Sequence, residues 1–331
     1  MKLIKPSYYD QFHCIAGACP DSCCQEWDVQ VDPLSAKKYL SLSGSLGDLL
    51  REKLIEEDGE YTLQITDRRC PMWRQDGLCQ IQYELGEDGL CQVCKDFPRL
   101  RHDYGDFVEL GLELSCPEAA RLIFTAPMAP PVIRELPEAG EADYDRLDME
   151  ILLRTRDHAL RILETHPFAE ALTLLLLYGY RAQDELDGAE AAPWNPAEEL
   201  AFARQVAGSC DWTALRDFYA GLELLTPRWA AMLHSPAPAF SDDLIRMTRC
   251  GIERYWLQAI SDLDLISRVK MIIAGTLLVG HLGGEPIRTA QLYSKEIDNS
   301  IDNLEAILDA TYTHPALTDC HLLGLLQSIR A

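Results

Sequence analysis

The sequence predicts a mainly α-helical protein with a small, irregular, cysteine-rich metal-binding module at its N-terminus, built from short helices and hairpins. Two observations predict this fold class. Nine of the 12 cysteines fall within residues 1–116, where glycines and cysteines interrupt the apolar runs. After residue 143, apolar residues recur with the helical period of three to four, and almost no segment alternates as a strand does. An all-α helical domain is therefore expected to follow the module.

The change in composition predicts three regions. We expect a cysteine-rich iron–sulfur or metal-binding domain over residues 1–125, a linker over 126–142 and a helical domain over 143–331. The linker prediction rests on the stretch APMAPPVIRELPEAGEAD, which is rich in proline and alanine and ends in acidic residues. A chain of 331 residues is long enough for two domains.

The N-terminal elements are predicted from capping residues and alternation. Asp32 as N-cap, Pro33 at the first helical position and Gly44 as a stop predict a first helix. A second short helix follows in LGDLLREKLIEEDG, and the alternating Tyr61–Thr66 segment predicts a strand. A further helix is expected to begin near Pro117.

In the C-terminal part, two helices are expected within residues 144–186, and Asn195 followed by Pro196 predicts the start of another. The periodicity predicts further helices at about 211–223, 241–261, 263–281, 292–312 and 315–329.

The charge and the apolar runs restrict the partners and the location. A formal net charge of −23 argues against binding to nucleic acid or to anionic lipid. No apolar run reaches about 18 residues, so we expect no membrane-spanning helix, and the run from Met271 predicts a buried core helix. The first residues lack the apolar core of a signal peptide. The expected location is the cytoplasm, where thiols stay reduced.

The cysteine spacing favours an iron–sulfur cluster and leaves zinc as the alternative. Disulfides would need an oxidising compartment, and adjacent cysteines such as Cys23 and Cys24 rarely bond to each other without strain. Structural zinc usually has two C-x2-C pairs, whereas only Cys91 and Cys94 form one here. Iron–sulfur clusters tolerate less regular spacing. The candidate metal ligands, in one site or two, are Cys14, Cys19, Cys23, Cys24, Cys70, Cys79, Cys91, Cys94 and Cys116.

Several motifs together resemble those of flagellin lysine N-methylases, within a wider zinc- or iron-chelating superfamily with a CxxCxxCC-type motif. They are CIAGACPDSCCQEW from Cys14, RRCPMW around Cys70, DGLCQIQYELGEDGLCQVCKDFPRL from Asp76 and LSCPEAARLIF from Leu114. The resemblance covers residues 8–124. It implies transfer of a methyl group from S-adenosylmethionine to lysine side chains of flagellin, and a [4Fe-4S] cluster held by the N-terminal cysteines.

The residues themselves support that chemistry only in part. No glycine-rich turn follows a strand as in Rossmann-type methyltransferases. The C-x3-C-x2-C motif of radical enzymes is broken, because Glu26 stands at the position of its third cysteine. A lysine ammonium, with a pKa of about 10.4, must lose a proton before it attacks a methyl group. Candidate catalytic residues that could accept this proton are Tyr8, Tyr9, Glu26, Asp28 and Asp96.

Arg99 and Arg101, in the sequence FPRLR, are candidate cofactor-binding residues. A guanidinium can bind the carboxylate of S-adenosylmethionine through two hydrogen bonds. The alternative is that both arginines compensate the charge of an anionic thiolate cluster.

Two further functions remain open on the sequence alone. The first is a zinc- or cluster-stabilised module that binds a protein without catalysing a reaction. The second is a metal-handling or electron-transfer protein. The roughly 190 helical residues after the cysteine-rich part favour the methyltransferase, because they could provide a platform for a protein substrate.

Overall fold

The computed structural model describes residues 1–25, 29–137, 140–190 and 193–329, and these residues confirm a mainly α-helical fold. The N-terminal helices are α1 (Pro33–Ser41), α2 (Gly44–Lys53), α3 (Gln80–Leu85), α4 (Gln92–Asp96) and α5 (Pro117–Thr125). The later helices are α6 (Arg146–Thr165), α7 (Phe168–Leu186), α8 (Pro196–Val206), α9 (Trp212–Ala220), α10 (Pro227–His234), α11 (Leu244–Tyr255), α12 (Leu265–Leu282), α13 (Pro286–Ile297), α14 (Ile301–Thr313) and α15 (Asp319–Ser328). The strands are β1 (Lys2–Lys5), β2 (Val29–Val31), β3 (Leu54–Glu57), β4 (Glu60–Leu63), β5 (Arg99–Asp103), β6 (Phe107–Leu112) and β7 (Val132–Glu135).

Local capping chemistry explains where several helices begin. The Asp32 carboxylate accepts a hydrogen bond from the Ser35 N–H at 2.9 Å, and Pro33 occupies the first position of α1 as predicted. Gly44 does not end α1 as expected. It is the first residue of α2, and its φ of 85° turns the chain between the two helices.

The helix predicted over residues 292–312 is wrong, because two helices occupy this region. Helix α13 ends at Ile297, and the Ser300 hydroxyl then accepts a hydrogen bond from the Asn303 N–H at 3.2 Å, which starts α14. Helix α10 was not predicted at all.

The strands form two small sheets. One has the order β5-β6-β1-β7, with β1 parallel to β6 and antiparallel to β7. The other has the order β2-β4-β3 and is antiparallel. Strand β7 lies inside the predicted linker, so this part of the linker adds an edge strand to the first sheet.

The buried apolar residues form two hydrophobic cores. The larger core combines α5 and the helices after it with Phe12 and with Phe107 and Leu112 of β6. The smaller core is formed by β2, β4, α1 and α2 together with Cys70 and Cys91. The first 125 residues therefore contribute to both cores, and the proposed domain boundaries stay a prediction.

Helix α12 lies at the centre of the larger core. Within the described part of the chain it alone is long and apolar enough to span a membrane, and all 18 of its residues are buried in the fold. The prediction of a buried core helix around Met271 is confirmed.

A buried ion pair joins the four-stranded sheet to the helices. Arg156 on α6 donates two hydrogen bonds of 2.7 Å to the two carboxylate oxygens of Glu109 on β6. The two side chains are only 11% and 10% exposed, so water screens this pair little. The pair holds β6 against α6.

We predict that Arg156→Met lowers the free energy of unfolding by about 3–5 kcal/mol, because it leaves the Glu109 carboxylate buried without its partner. Urea denaturation at neutral pH measures this loss. The matched control is Arg101→Met, since Arg101 pairs with Asp103 at 2.6 Å with both side chains about half exposed. This control should cost less than about 1 kcal/mol. Equal losses in the two variants would contradict the prediction.

Candidate functional site

Five of the nine predicted metal ligands gather around the smaller core. Cys70 and Cys91 are buried within it, and three further cysteines pack against it. We call these five residues the cysteine cluster: Cys24, Cys70, Cys79, Cys91 and Cys94. No disulfide joins any of the 12 cysteines, all of which lie in the described residues.

Backbone pairing between distant segments brings these thiols together. Gln25 forms a β-bridge with Arg69, and the Cys70 N–H donates to the Cys24 carbonyl at 2.8 Å. A second bridge pairs Trp73 with Cys79, the residue that precedes α3. Because these contacts join segments that are distant in sequence, the spacing of Cys70 and Cys79 alone does not predict which thiols lie together.

The C-x2-C pair is coupled through its thiols. A hydrogen bond from the Cys94 thiol lowers the pKa of Cys91 to about 7 although burial opposes this, and the same bond raises the pKa of Cys94. Burial raises the pKa of Cys70 to about 11. The cluster therefore combines Cys91, whose thiol ionises readily, with Cys70, Cys79 and Cys94, whose pKa values are raised.

A second, adjacent group contains Cys19, Cys23 and Cys116. Burial raises the pKa of Cys116 to about 12, and the charges of Cys19 and Cys23 act in the same direction. Cys23 also raises the pKa values of Cys70 and Cys79, so it is close to thiols of both groups. Cys14 is exposed at the surface. Eight of the nine predicted ligands thus fall into two neighbouring groups.

The donor chemistry of these groups fits a thiolate-bound metal or iron–sulfur cluster. Their side chains are not arranged as a metal site. Among the described residues, no three His, Cys, Asp or Glu side chains are positioned to hold one metal ion. The choice between iron–sulfur and zinc stays a prediction.

The helical part anchors the loop that carries Cys19 and Cys23. Asp21 in this loop accepts hydrogen bonds from Lys295 and Gln291 of α13, both at 3.0 Å. Gln291 also donates to the Ser115 carbonyl at 2.7 Å, directly before Cys116. The Lys295 side chain is only 6% exposed. Helix α13 therefore holds the two halves of the second cysteine group in place.

The predicted proton acceptors are found in different places. Glu26 and Asp28, together with Trp27, lie outside the described residues. Tyr9 lies near Arg99 and Asp96, and burial is the main cause that raises its pKa. Tyr8 lies away from the cysteine cluster, in a cavity beneath the four-stranded sheet.

Arg99 and Arg101 are both exposed on the edge strand β5. Because side chains alternate along a strand, Leu100 and His102 point to the opposite face, where they line the cavity. Arg99 lies over the ring of Phe12 at 5.0 Å, and Arg101 pairs with Asp103. A cofactor-binding role for the two arginines stays a prediction.

The cavity has a volume of about 170 Å³ and lies between the four-stranded sheet, α6 and α11. We call it the sheet cavity. Residues 126–131 run along part of its wall. Its charged lining residues are Lys5, Glu109, Arg156, Asp157, Arg246, Arg249, Glu253 and Arg254.

Of the sheet-cavity residues, sequence reasoning selected only Tyr8 as a candidate. The others were missed because they come from β1, β5, β6, α6 and α11, which are far apart in sequence. One usable signal was present in α11, where Arg246, Arg249 and Glu253 recur at helical spacing along one face.

Burial controls the ionisation of the groups in the sheet cavity. It raises the pKa of Tyr8 above its usual value, and Cys250 and Glu253 add to this effect while Arg249 opposes it. Burial also raises the pKa of the Glu253 carboxyl, although Arg249 lies close enough to lower it. The Tyr8 hydroxyl therefore keeps its proton at neutral pH.

The chain is similar to a flagellar biosynthetic protein and to lysine-N-methylases of Salmonella. Over 132 residues, 38% of its length, it is 33% identical to the flagellar biosynthetic protein FliU of Salmonella muenchen, 78% of which is covered. It is equally similar over the same length to the lysine-N-methylases of Salmonella typhimurium and Salmonella choleraesuis. The match covers only 33% of each of these two proteins. No protein-family model matches the chain, and no solved structure matches it significantly.

We predict that Lys295→Met loosens the loop between Cys19 and Cys23. Losing a charged hydrogen bond costs about 1.5–3 kcal/mol, which corresponds to roughly 10- to 100-fold more frequent local opening. Mass spectrometry after timed iodoacetamide labelling measures the rate at Cys19 and Cys116.

The matched control is Lys53→Met, because Lys53 belongs to a solvent-exposed ion pair with Glu52. Cys14 is exposed and serves as an internal reference that should react at one rate in all three proteins. Unchanged labelling at Cys19 and Cys116 in the Lys295 variant would show that α13 does not hold this loop.

Proposed function

Because the chain belongs to the flagellin lysine N-methylase family, we propose that it is a protein-lysine N-methyltransferase that acts on flagellin. Its similarity to FliU and to two lysine-N-methylases is the observation that carries this proposal. The chain spans about a third of the length of the two lysine-N-methylases. S-adenosylmethionine is the proposed methyl donor, and the cytoplasm is the proposed location.

An iron–sulfur cluster is the proposed cofactor, with zinc as the second candidate. The residues that would hold it are those of the cysteine cluster, whose soft thiol donors suit either metal. When bound, either metal would supply a Lewis acid that can polarise a group of a bound ligand.

The chain must also deprotonate the substrate lysine before methyl transfer. Tyr8 is a poor acceptor for this proton, because burial raises its pKa and the neutral phenol has no strongly basic atom. It can still donate a hydrogen bond inside the sheet cavity. Glu26 and Asp28, which follow Cys24 closely in the sequence, remain the proposed acceptors.

The proposed function is tested with protein purified without oxygen, mixed with purified flagellin and S-adenosylmethionine. Mass spectrometry of flagellin should then show added methyl groups on lysine. A protein that contains its metal and binds flagellin but transfers no methyl group would contradict the enzyme and support a protein-binding module.

We predict that Cys91→Ser and Cys94→Ser both lose bound iron and reduce the rate of methyl transfer by about 10- to 100-fold or more. A hydroxyl is a much weaker ligand for iron than a thiolate, and even changes outside the ligand set cause losses of this size. The control is Cys210→Ser, which changes an exposed cysteine of the helical part and should keep both iron and activity. Full activity in the Cys91 and Cys94 variants would exclude these ligands.

A further inference from the structure

The sheet cavity is lined by more basic than acidic side chains, although the protein is strongly acidic. Five of the 30 lysines and arginines line it, against three carboxylates, whereas the whole chain carries a formal net charge of −23. The lining cations are Lys5, Arg156, Arg246, Arg249 and Arg254, and the lining carboxylates are Glu109, Asp157 and Glu253. The composition of the whole chain would instead predict a cavity lined by more carboxylates than cations. Whether the cavity attracts an anionic ligand depends on which of these cations lack a carboxylate partner.

Most of these cations already have a carboxylate partner. Lys5 pairs with Asp10, Arg156 with Glu109, Arg249 with Glu253 and Glu164, and Arg254 with Asp298 and Glu113. Pairs of this kind position side chains but leave little charge for a ligand.

Arg246 is different from the other four cations. Its Nη1 atom donates to the backbone carbonyls of Ile123 at 3.2 Å and Ala126 at 2.7 Å. Among the described residues, no carboxylate forms an ion pair with it. Because a carbonyl oxygen does not neutralise a guanidinium, Arg246 keeps its full charge at the cavity wall.

Two other lining residues have unused hydrogen-bonding atoms. Within the described chain, His102 Nε2 and Arg156 Nε are buried and have no hydrogen-bond partner. Burial, and after it the nearby Arg254, lower the pKa of His102, so the imidazole is neutral at neutral pH. A buried polar atom without a partner is unfavourable, and a ligand that bonds to it recovers this loss.

The size and position of the cavity suit a small molecule. About 10–15 Å³ is enough for one water, so a volume of about 170 Å³ accommodates a ligand of many atoms. Residues 126–129 and Pro131 line one side of the cavity, and Arg246 holds the first of them through the Ala126 carbonyl.

We propose that the sheet cavity binds a small molecule through an anionic group, a carboxylate or a phosphate, with Arg246 and His102 as its main contacts. Arg246, which has no carboxylate partner among the described residues, and the unpartnered His102 Nε2 carry this proposal whether or not the chain transfers methyl groups. A carboxylate would come from an amino-acid-like ligand such as the proposed methyl donor, and a phosphate from a nucleotide or a free ion.

Calorimetric titration of the full chain distinguishes the two possible anionic groups, the carboxylate of an amino-acid-like ligand and a phosphate. The three probes are S-adenosylhomocysteine, its decarboxylated analogue and inorganic phosphate. Binding of S-adenosylhomocysteine but not of the analogue identifies a carboxylate, and binding of phosphate identifies a phosphate site. Absence of binding by both S-adenosylhomocysteine and phosphate overturns the proposal.

Two variants locate the bound probe. Arg246→Met and His102→Leu should each raise the Kd of the bound probe about tenfold or more, since each removes a charged or buried hydrogen-bond partner. Arg161→Met is the matched control, because Arg161 is an exposed arginine of α6 outside the cavity, and its Kd should match wild type. An unchanged Kd in both cavity variants overturns the proposal.

His102→Leu also separates binding from folding. Because Nε2 has no partner in the described residues, replacing this side chain should leave the thermal stability of the ligand-free protein unchanged or increased. A structural role would instead lower stability. Methyl transfer to flagellin, measured on the same variants, keeps the two proposals apart: anion binding without transfer rejects only the proposed function.

Discussion

The arrangement of the protein depends on pairing charges that are buried between the four-stranded sheet and the helices. Glu109 on β6 pairs with Arg156 on α6, and Arg254 on α11 lies between Asp298 and Glu113. Each of these groups would be strongly unfavourable if it were buried alone. Their pairing fixes how the sheet sits on the helices. The sheet cavity lies in the same layer, and Glu109, Arg156 and Arg254 are among its lining residues.

Helix α5 connects the second cysteine group to the sheet cavity. Cys116 precedes its first residue, and the carbonyls bonded by Arg246 lie at its end, at Ile123 and Ala126. Nine helical residues at 1.5 Å each give a distance of about 14 Å along this helix. The second cysteine group and the sheet cavity are therefore neighbours, and α13 fixes the former through Asp21. Because the cysteine cluster is adjacent to the second cysteine group, both cysteine groups and the sheet cavity lie in one continuous region of the fold.

The sequence was sufficient for features that depend on nearby residues. The caps at Asp32 and Asn195 and the buried helix around Met271 follow from local spacing, and the structure confirms them. The break at Ser300 was missed because apolar residues continue through it with nearly helical spacing. Features that join distant segments could not be read in this way. The pairing of β1 with β6, about a hundred residues away, has no local signal.

The candidate site also combines features that follow from nearby residues with features that depend on contacts between distant segments. The dense cysteines mark the region, and the motifs around them are enough to indicate the family. Their division into a cluster around Cys70 and Cys91 and a group around Cys116 depends on the fold. The sheet cavity has no local sequence signature. Tyr8, His102 and Arg246 are far apart in sequence and line one cavity only because the sheet packs on α11. The alternation along β5 could have suggested that His102 faces inwards and Arg101 outwards.

We propose that the cysteine cluster holds an iron–sulfur cofactor, and this claim is central to the proposed function. Metal and sulfide analysis of protein purified without oxygen, with its visible spectrum recorded before and after adding S-adenosylmethionine, tests this most directly. We expect about four irons and four sulfides per chain and a broad absorption band that fades in air. A colourless protein that contains zinc, or no metal, would contradict the claim.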